Sequence, residues 1–125
     1  MTRPSVLIVD DHAAFRALAR TVLTRSGFDV LGEAADGEDA LAAAARVRPD
    51  VVVLDVQLPG INGFEVARRL LTGQRPPTVV LVSTAEATDY GRRIRDSGAV
   101  GFITKSHLSG DTLHALLRGE TEVTG

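Results

Sequence analysis

The chain has 125 residues, the size of one ordinary domain, and at 44% hydrophobic but only 4% aromatic its core must be built from Val, Leu, Ile and Ala. Fourteen basic against sixteen acidic residues leave a net charge of −2, which argues against a general nucleic-acid binder, and the absence of cysteine excludes disulfides and thiolate metal sites. No apolar run approaches the roughly 20 residues of a membrane span, and no signal-peptide pattern opens the chain, so a soluble cytoplasmic domain with no membrane contact is expected.

The first apolar run, residues 6–9, leads directly into Asp10 and Asp11 within LIVDDH. Adjacent carboxylates at the end of an apolar strand are costly unless a cation lies near them. Phe15, Leu18, Ala19, Val22 and Leu23 then recur at helical spacing and stop at Ser26-Gly27. Residues 30–34 form a weaker second run. Leu41, Ala44 and Ala45 share one face of an alanine-rich helix that ends before Pro49. The third run, VVVLDV at 51–56, is β-branched and wholly apolar but for Asp55. Val66, Ala67, Leu70 and Leu71 make the next helical face, and Pro76-Pro77 resets the chain for TVVLVS at 78–83. A weak polar helix is expected over 89–97, with Tyr90 and Ile94 on its apolar side and Gly91 inside it. GFITK, 101–105, is the fifth run. The last helix starts at the N-cap Ser109 and buries Leu113, Leu116 and Leu117. Five runs alternating with five helices predict an α/β fold. Their continuous apolarity fits a parallel sheet covered on both faces. The chain reads as a single domain, 1–125, with a core of about 6–118 and a polar tail at 119–125.

Polar chemistry falls at the C-terminal ends of four runs: Asp10 and Asp11, Asp55, Ser83 and Thr84, and Lys105. In an open parallel sheet these ends share one edge, where ligands bind. Three carboxylates with no cysteine and no histidine pair make a hard-oxygen site suited to Mg²⁺. The cation that the acidic pair requires is therefore expected to be a divalent metal, with Lys105 as a second, permanent one. Taken singly each feature is ordinary: an Asp pair more often caps a helix, a lone lysine is solvated, and Ser-Thr marks a turn. Of the scattered His12, His107 and His114, His12 could ligate a metal, but a solvated loop histidine is the commoner reading. Arg92, Arg93 and Arg95 read equally as a solvated face or as a mobile partner surface.

From about residue 6 to 118 the sequence resembles the receiver domain of bacterial two-component response regulators. The resemblance implies a flavodoxin-like three-layer fold with sheet order 2-1-3-4-5. It makes Asp10 and Asp11 metal-binding acids and Asp55 the phosphoacceptor, with Pro59 and Gly63 in the loop that follows. Ser83 becomes the hydroxyl that contacts the phosphoryl group, Lys105 its cationic partner and Phe102 an aromatic switch. It further implies phosphoryl transfer from a histidine kinase or phosphotransfer protein. Mg²⁺ would be held by Asp11, Asp55 and the backbone carbonyl of Gln57, with Asp10 acting through water. Phosphorylation would draw Ser83 toward the phosphoryl group on Asp55, turn Phe102 inward, and remodel the face of the fourth helix, fifth strand and last helix for a partner or a second copy. The domain itself would touch no nucleic acid and would assist only its own phosphorylation and dephosphorylation.

Three departures stand out. Ser106 follows Lys105 where most receivers have proline, and a cis bond before a non-proline costs about 3 kcal/mol, which leaves that bond's geometry open. This variant resembles receivers joined to helix-turn-helix outputs. Thr84 stands where the family usually has Ala or Gly, so either Ser83 or Thr84 could meet the phosphoryl group, the spacing to Lys105 favouring Ser83. Phe102 lacks the hydroxyl of the commoner tyrosine. Two other readings compete. A Mg²⁺-dependent phosphohydrolase would want a second acid at Gln57 and a longer chain. A degenerate, unphosphorylated interaction module would not need every key side chain, and all are present.

Overall fold

The structure, a computed structural model, describes residues 3–119; the expected polar tail lies almost wholly outside them. The elements run β1 (Ser5–Val9), α1 (Ala13–Arg25), β2 (Asp29–Ala34), α2 (Gly37–Val47), β3 (Val51–Asp55), α3 (Gly63–Leu71), β4 (Thr78–Ser83), a 3-10 turn (Ala87–Asp89), α4 (Arg92–Asp96), β5 (Gly101–Thr104), a second 3-10 turn (Lys105–His107) and α5 (Gly110–Leu117). The five strands pair in parallel in the order β2-β1-β3-β4-β5, as the sequence led us to expect.

Side chains alternate across each strand, so one apolar run feeds two cores. Leu7, Val9, Val52, Leu54, Val79, Leu81 and Phe102 face α2, α3 and Ile94 of α4. Val6, Ile8, Val51, Val53, Val80, Val82 and Ile103 face Ala19 and Leu23 of α1 and Leu113 and Leu116 of α5. That double demand explains why β3 carries no outward polar position: all five of its residues are buried.

Short polar side chains set the helix starts. Asp36 accepts the Asp39 N–H at 2.8 Å and Asn62 accepts the Glu65 N–H at 3.0 Å. Ser109 accepts from Thr112 N–H at 3.1 Å while Thr112 Oγ1 accepts the Ser109 N–H at 2.9 Å, a reciprocal cap on α5.

The structure corrects several details. Leu18 is 60% exposed and lies off the buried stripe of α1. In α2 the buried positions are Gly37, Ala40 and Ala43, while Ala45 is exposed. Leu117 is only partly buried. The expected helix over 89–97 is split: Gly91 takes φ 56 and sits at the N-cap of a five-residue α4, not inside a helix. A left-handed residue breaks the α-helical hydrogen-bond ladder, and glycine adopts it at little steric cost. No peptide bond among the described residues is cis, so Lys105-Ser106 is trans.

Candidate functional site

Each strand of the central trio delivers one buried polar side chain to the same edge. Asp10 follows β1 and is fully buried. Its N–H donates to Ala34 O at 3.0 Å, and its Oδ1 accepts the His12 N–H at 2.8 Å. Arg16, one turn into α1, donates from Nη1 to the Asp10 carbonyl at 2.6 Å and from Nε to Glu33 at 3.1 Å. Neither acid caps α1: the N-cap is His12, which makes no side-chain capping bond. The helix-cap reading of the acidic pair is thereby excluded. Asp11 is exposed.

Asp55 ends β3 and is 2% exposed. Its Oδ1 accepts the Gln57 N–H at 3.1 Å. The loop beyond it is folded tightly back, with Gly63 N–H donating to Val56 O at 2.8 Å. A Cβ on Gly63 would stand 2.2 Å from Asp55 O, so only glycine allows this approach.

Lys105 follows β5 and is 11% exposed at its side chain. Its Nζ lies 2.5 Å from Asp10 Oδ2, 3.3 Å from Asp55 Oδ2 and 4.6 Å from the ring centre of Phe15. The permanent cation thus straddles the two buried acids. Burial nevertheless pushes the Asp55 carboxyl up to about 6; the Gln57 N–H pulls it down, the nearby Asp10 adds to the rise, and Lys105 opposes it. Two buried carboxylates thus share one lysine.

The donor set here suits a divalent cation. One oxygen each from Asp10, Asp11 and Asp55 and a ring nitrogen of His12 lie within 4.8 Å of one another. His12, read from sequence as solvated, is in fact 67% exposed yet holds Nδ1 3.1 Å from both Asp10 Oδ1 and Asp11 Oδ1.

Ser83 ends β4 fully buried, whereas Thr84 is exposed. The Ser83 Oγ lies 2.7 Å from Tyr90 Oη and accepts the Ala85 N–H at 3.1 Å. Phe102, in β5, is fully buried, with its ring centre 5.8 Å from that of Tyr90. The expectation that Phe102 turns inward when Asp55 is modified therefore has no outward starting point here: the ring already lies in the core. Arg92, Arg93 and Arg95 are exposed, but Arg93 is not merely solvated, since its guanidinium sits 4.4 Å over the Phe64 ring. A cavity of about 520 Å³ opens beside the acids, lined by Asp11, Gln57, Asn62, Tyr90 and Arg93 among others.

Sequence reasoning missed Phe15, Arg16 and Tyr90 as neighbours of the site. Phe15 and Tyr90 carried the signal of ordinary core residues, and nothing in the spacing marked Arg16. Among the described residues no helix is long and apolar enough to cross a membrane.

The sequence profile of the response regulator receiver domain matches residues 6–118. The response regulator GacA of Pseudomonas aeruginosa is 42% identical over 101 residues, covering 80% of this chain and 47% of GacA. The DNA-binding transcriptional activator EvgA of Escherichia coli K12 is 30% identical over 112 residues, covering 90% of this chain and 55% of EvgA. The chain spans about half the length of the curated relatives it matches. Among solved structures, the signal receiver domain of the putative response regulator NarL from Mycobacterium tuberculosis superposes with a TM-score of 0.86 at 30% identity, covering 98% of this chain and all of that one. Chemotaxis response regulator CheY4 of Vibrio cholerae gives 0.81 at 30% identity over 94% and 99% of the two chains.

Proposed function

Because the chain belongs to the response regulator receiver family, the phosphoacceptor modules of two-component signalling, we propose that Asp55 is the residue that takes the phosphoryl group, from a histidine kinase or phosphotransfer protein. The observation that carries this reading is Lys105 Nζ placed between Asp10 and Asp55 at the end of the central strands. Phosphoryl transfer asks a protein mainly for position and charge neutralisation. The Gln57 N–H on Oδ1 and Lys105 on Oδ2 fix the plane of the Asp55 carboxylate. One Asp55 oxygen attacks phosphorus, the phosphorus–nitrogen bond of the donor phosphohistidine breaks, and the imidazole leaves with its electron pair. Lys105 and the Ser83 hydroxyl then meet the phosphoryl oxygens.

Asp11, Asp55 and the Gln57 carbonyl would hold Mg²⁺, with Asp10 acting through water, and the ion when bound would add positive charge against those oxygens. The acyl phosphate brings roughly −1.5 to −2 charges to the edge of the sheet. The face of α4, β5 and α5 then serves as the surface that changes for a partner or a second copy. No direct nucleic-acid contact is proposed for this domain, whose net charge is −2. The working compartment we propose is the cytoplasm.

The competing phosphohydrolase reading lacks its second acid, since Gln57 stands in that place. Incubation with a small acyl phosphate and Mg²⁺ separates the readings. Stable labelling at one site per chain, abolished in Asp55→Asn, is expected. Turnover of many equivalents would favour the hydrolase, and no labelling at all would favour the inert module.

A further inference from the structure

The Ser83 hydroxyl is already engaged. Its oxygen is fully buried, takes the Ala85 N–H into one lone pair, and lies 2.7 Å from the Tyr90 phenol. A serine hydroxyl has a single proton to give. Either hydroxyl can donate across this pair, and in both cases the bond holds the Ser83 oxygen toward Tyr90. Both partners of Ser83 belong to the segment that follows β4, on the way to α4. From this geometry we infer that Tyr90 is a positioning residue that holds Ser83 in a resting orientation, and that a phosphoryl group on Asp55 engages the Ser83 hydroxyl only by breaking the Ser83–Tyr90 hydrogen bond. The inference rests on the proposed roles of Asp55 and Ser83.

The exchange is favourable once an anion is present, because a hydrogen bond to a charged acceptor is roughly twice as strong as one between neutral groups. What it releases is the leader of α4. Tyr90 stands edge-on to Phe64 with ring centres 5.5 Å apart and tilted against Phe102 at 5.8 Å. It is followed at once by Gly91 at φ 56 and then by the five residues of α4, of which Ile94 alone is buried. So short a helix with one apolar anchor is repositioned at little cost once the phenol is free. Phe102, which lacks a hydroxyl and is buried already, supplies the wall against which Tyr90 packs. The residue that moves is Tyr90.

The chain contains one tyrosine and no tryptophan, so its intrinsic emission comes from Tyr90 alone. Beryllofluoride, a phosphoryl analogue, is titrated into the chain with Mg²⁺, with binding followed by fluorine NMR and Tyr90 by its emission. The emission is expected to change with the same midpoint as the fluorine signal. Tyr90→Phe, which keeps the ring and removes the phenol oxygen, is expected to bind beryllofluoride about five-fold more tightly, the worth of one neutral hydrogen bond. Static emission in a saturated wild-type chain overturns the inference, and so does unchanged or weaker binding by a folded Tyr90→Phe. The emission needs no variant, so it decides alone if that substitution fails to fold. Wild-type chain that binds no beryllofluoride overturns the phosphoacceptor reading itself, and this inference falls with it.

Discussion

Lys105 Nζ lies closer to Asp10 Oδ2, at 2.5 Å, than to Asp55 Oδ2, at 3.3 Å. The lysine is thus held by a buried acid other than the proposed phosphoacceptor, with the Phe15 ring at 4.6 Å on its flank. Its side chain is placed before any phosphoryl group arrives.

Removing that lysine has a calculable consequence. Lys105→Ala leaves Asp10 fully buried without its cation, and breaking a buried pair in this way costs about 3–5 kcal/mol. Denaturant unfolding in chelator should show a loss of that size. Added Mg²⁺ should then stabilise Lys105→Ala more than it stabilises the wild type, because the cluster has lost its other cation. Equal metal-induced stabilisation in the two proteins would contradict the picture of lysine and metal sharing one charge deficit.

Asp11 should behave in the opposite way. It is exposed, so Asp11→Ala should leave metal-free stability within about 0.5 kcal/mol of wild type. Mg²⁺ affinity measured by calorimetry should fall roughly ten-fold or more, since a ligand oxygen matters at least as much as an outer partner. An unchanged affinity would remove Asp11 from the ligand set.

The pH dependence follows from Asp55. Burial raises its carboxyl from the ordinary 3.8 to about 6 in the folded chain. Between those values the folded state holds more protons than the unfolded one, so stability rises as pH falls through about 6, and the cost of the charged form is fully present above it. Asp55→Asn removes that cost. Its thermal midpoint in chelator should exceed that of wild type at pH 7.5, and the gap should close towards pH 4. A gap independent of pH would show that burial of the charge is not its origin.

Gly63 supports the site through its backbone. A Cβ there would meet Asp55 O at 2.2 Å and Val56 Cα at 2.7 Å, and neither atom belongs to a flexible side chain. Gly63→Ala should therefore cost about 1–3 kcal/mol, the usual range for overpacking. It should also slow labelling by a small acyl phosphate, because relief of the clash displaces the strand end that carries Asp55. Destabilisation with an unaltered labelling rate would separate the loop from the chemistry.

Local rules were enough for the strands and for most helix ends. VVVLD at 51–55 is apolar on both faces because both faces are covered, and TVVLVS at 78–83 is set off by Pro76-Pro77; β4 occupies those residues. Ser109 announces α5 because a serine oxygen can satisfy an exposed helix N–H wherever the chain leads next. Parallel strands also bring their C-terminal ends to one edge, so the meeting of Asp10, Asp55 and Lys105 was legible from the sequence.

Tertiary structure decided the rest, and the reason differs by element. Residues 42–45 are four alanines, which carry no periodicity, so packing against the sheet chose Ala43 over Ala45. Of α1 only Ala19 and Leu23 are fully buried, and Leu18 is left in solvent. Lys105 on Asp10, Phe15 on Lys105 and Tyr90 on Ser83 are contacts between side chains, most of them from distant parts of the chain, and their distances are set by how β1, β4, β5 and α1 pack. Composition and spacing carry the identity of such groups. Only the folded chain determines which of them touch, and that in turn determines which hydrogen bonds a phosphoryl group would have to break.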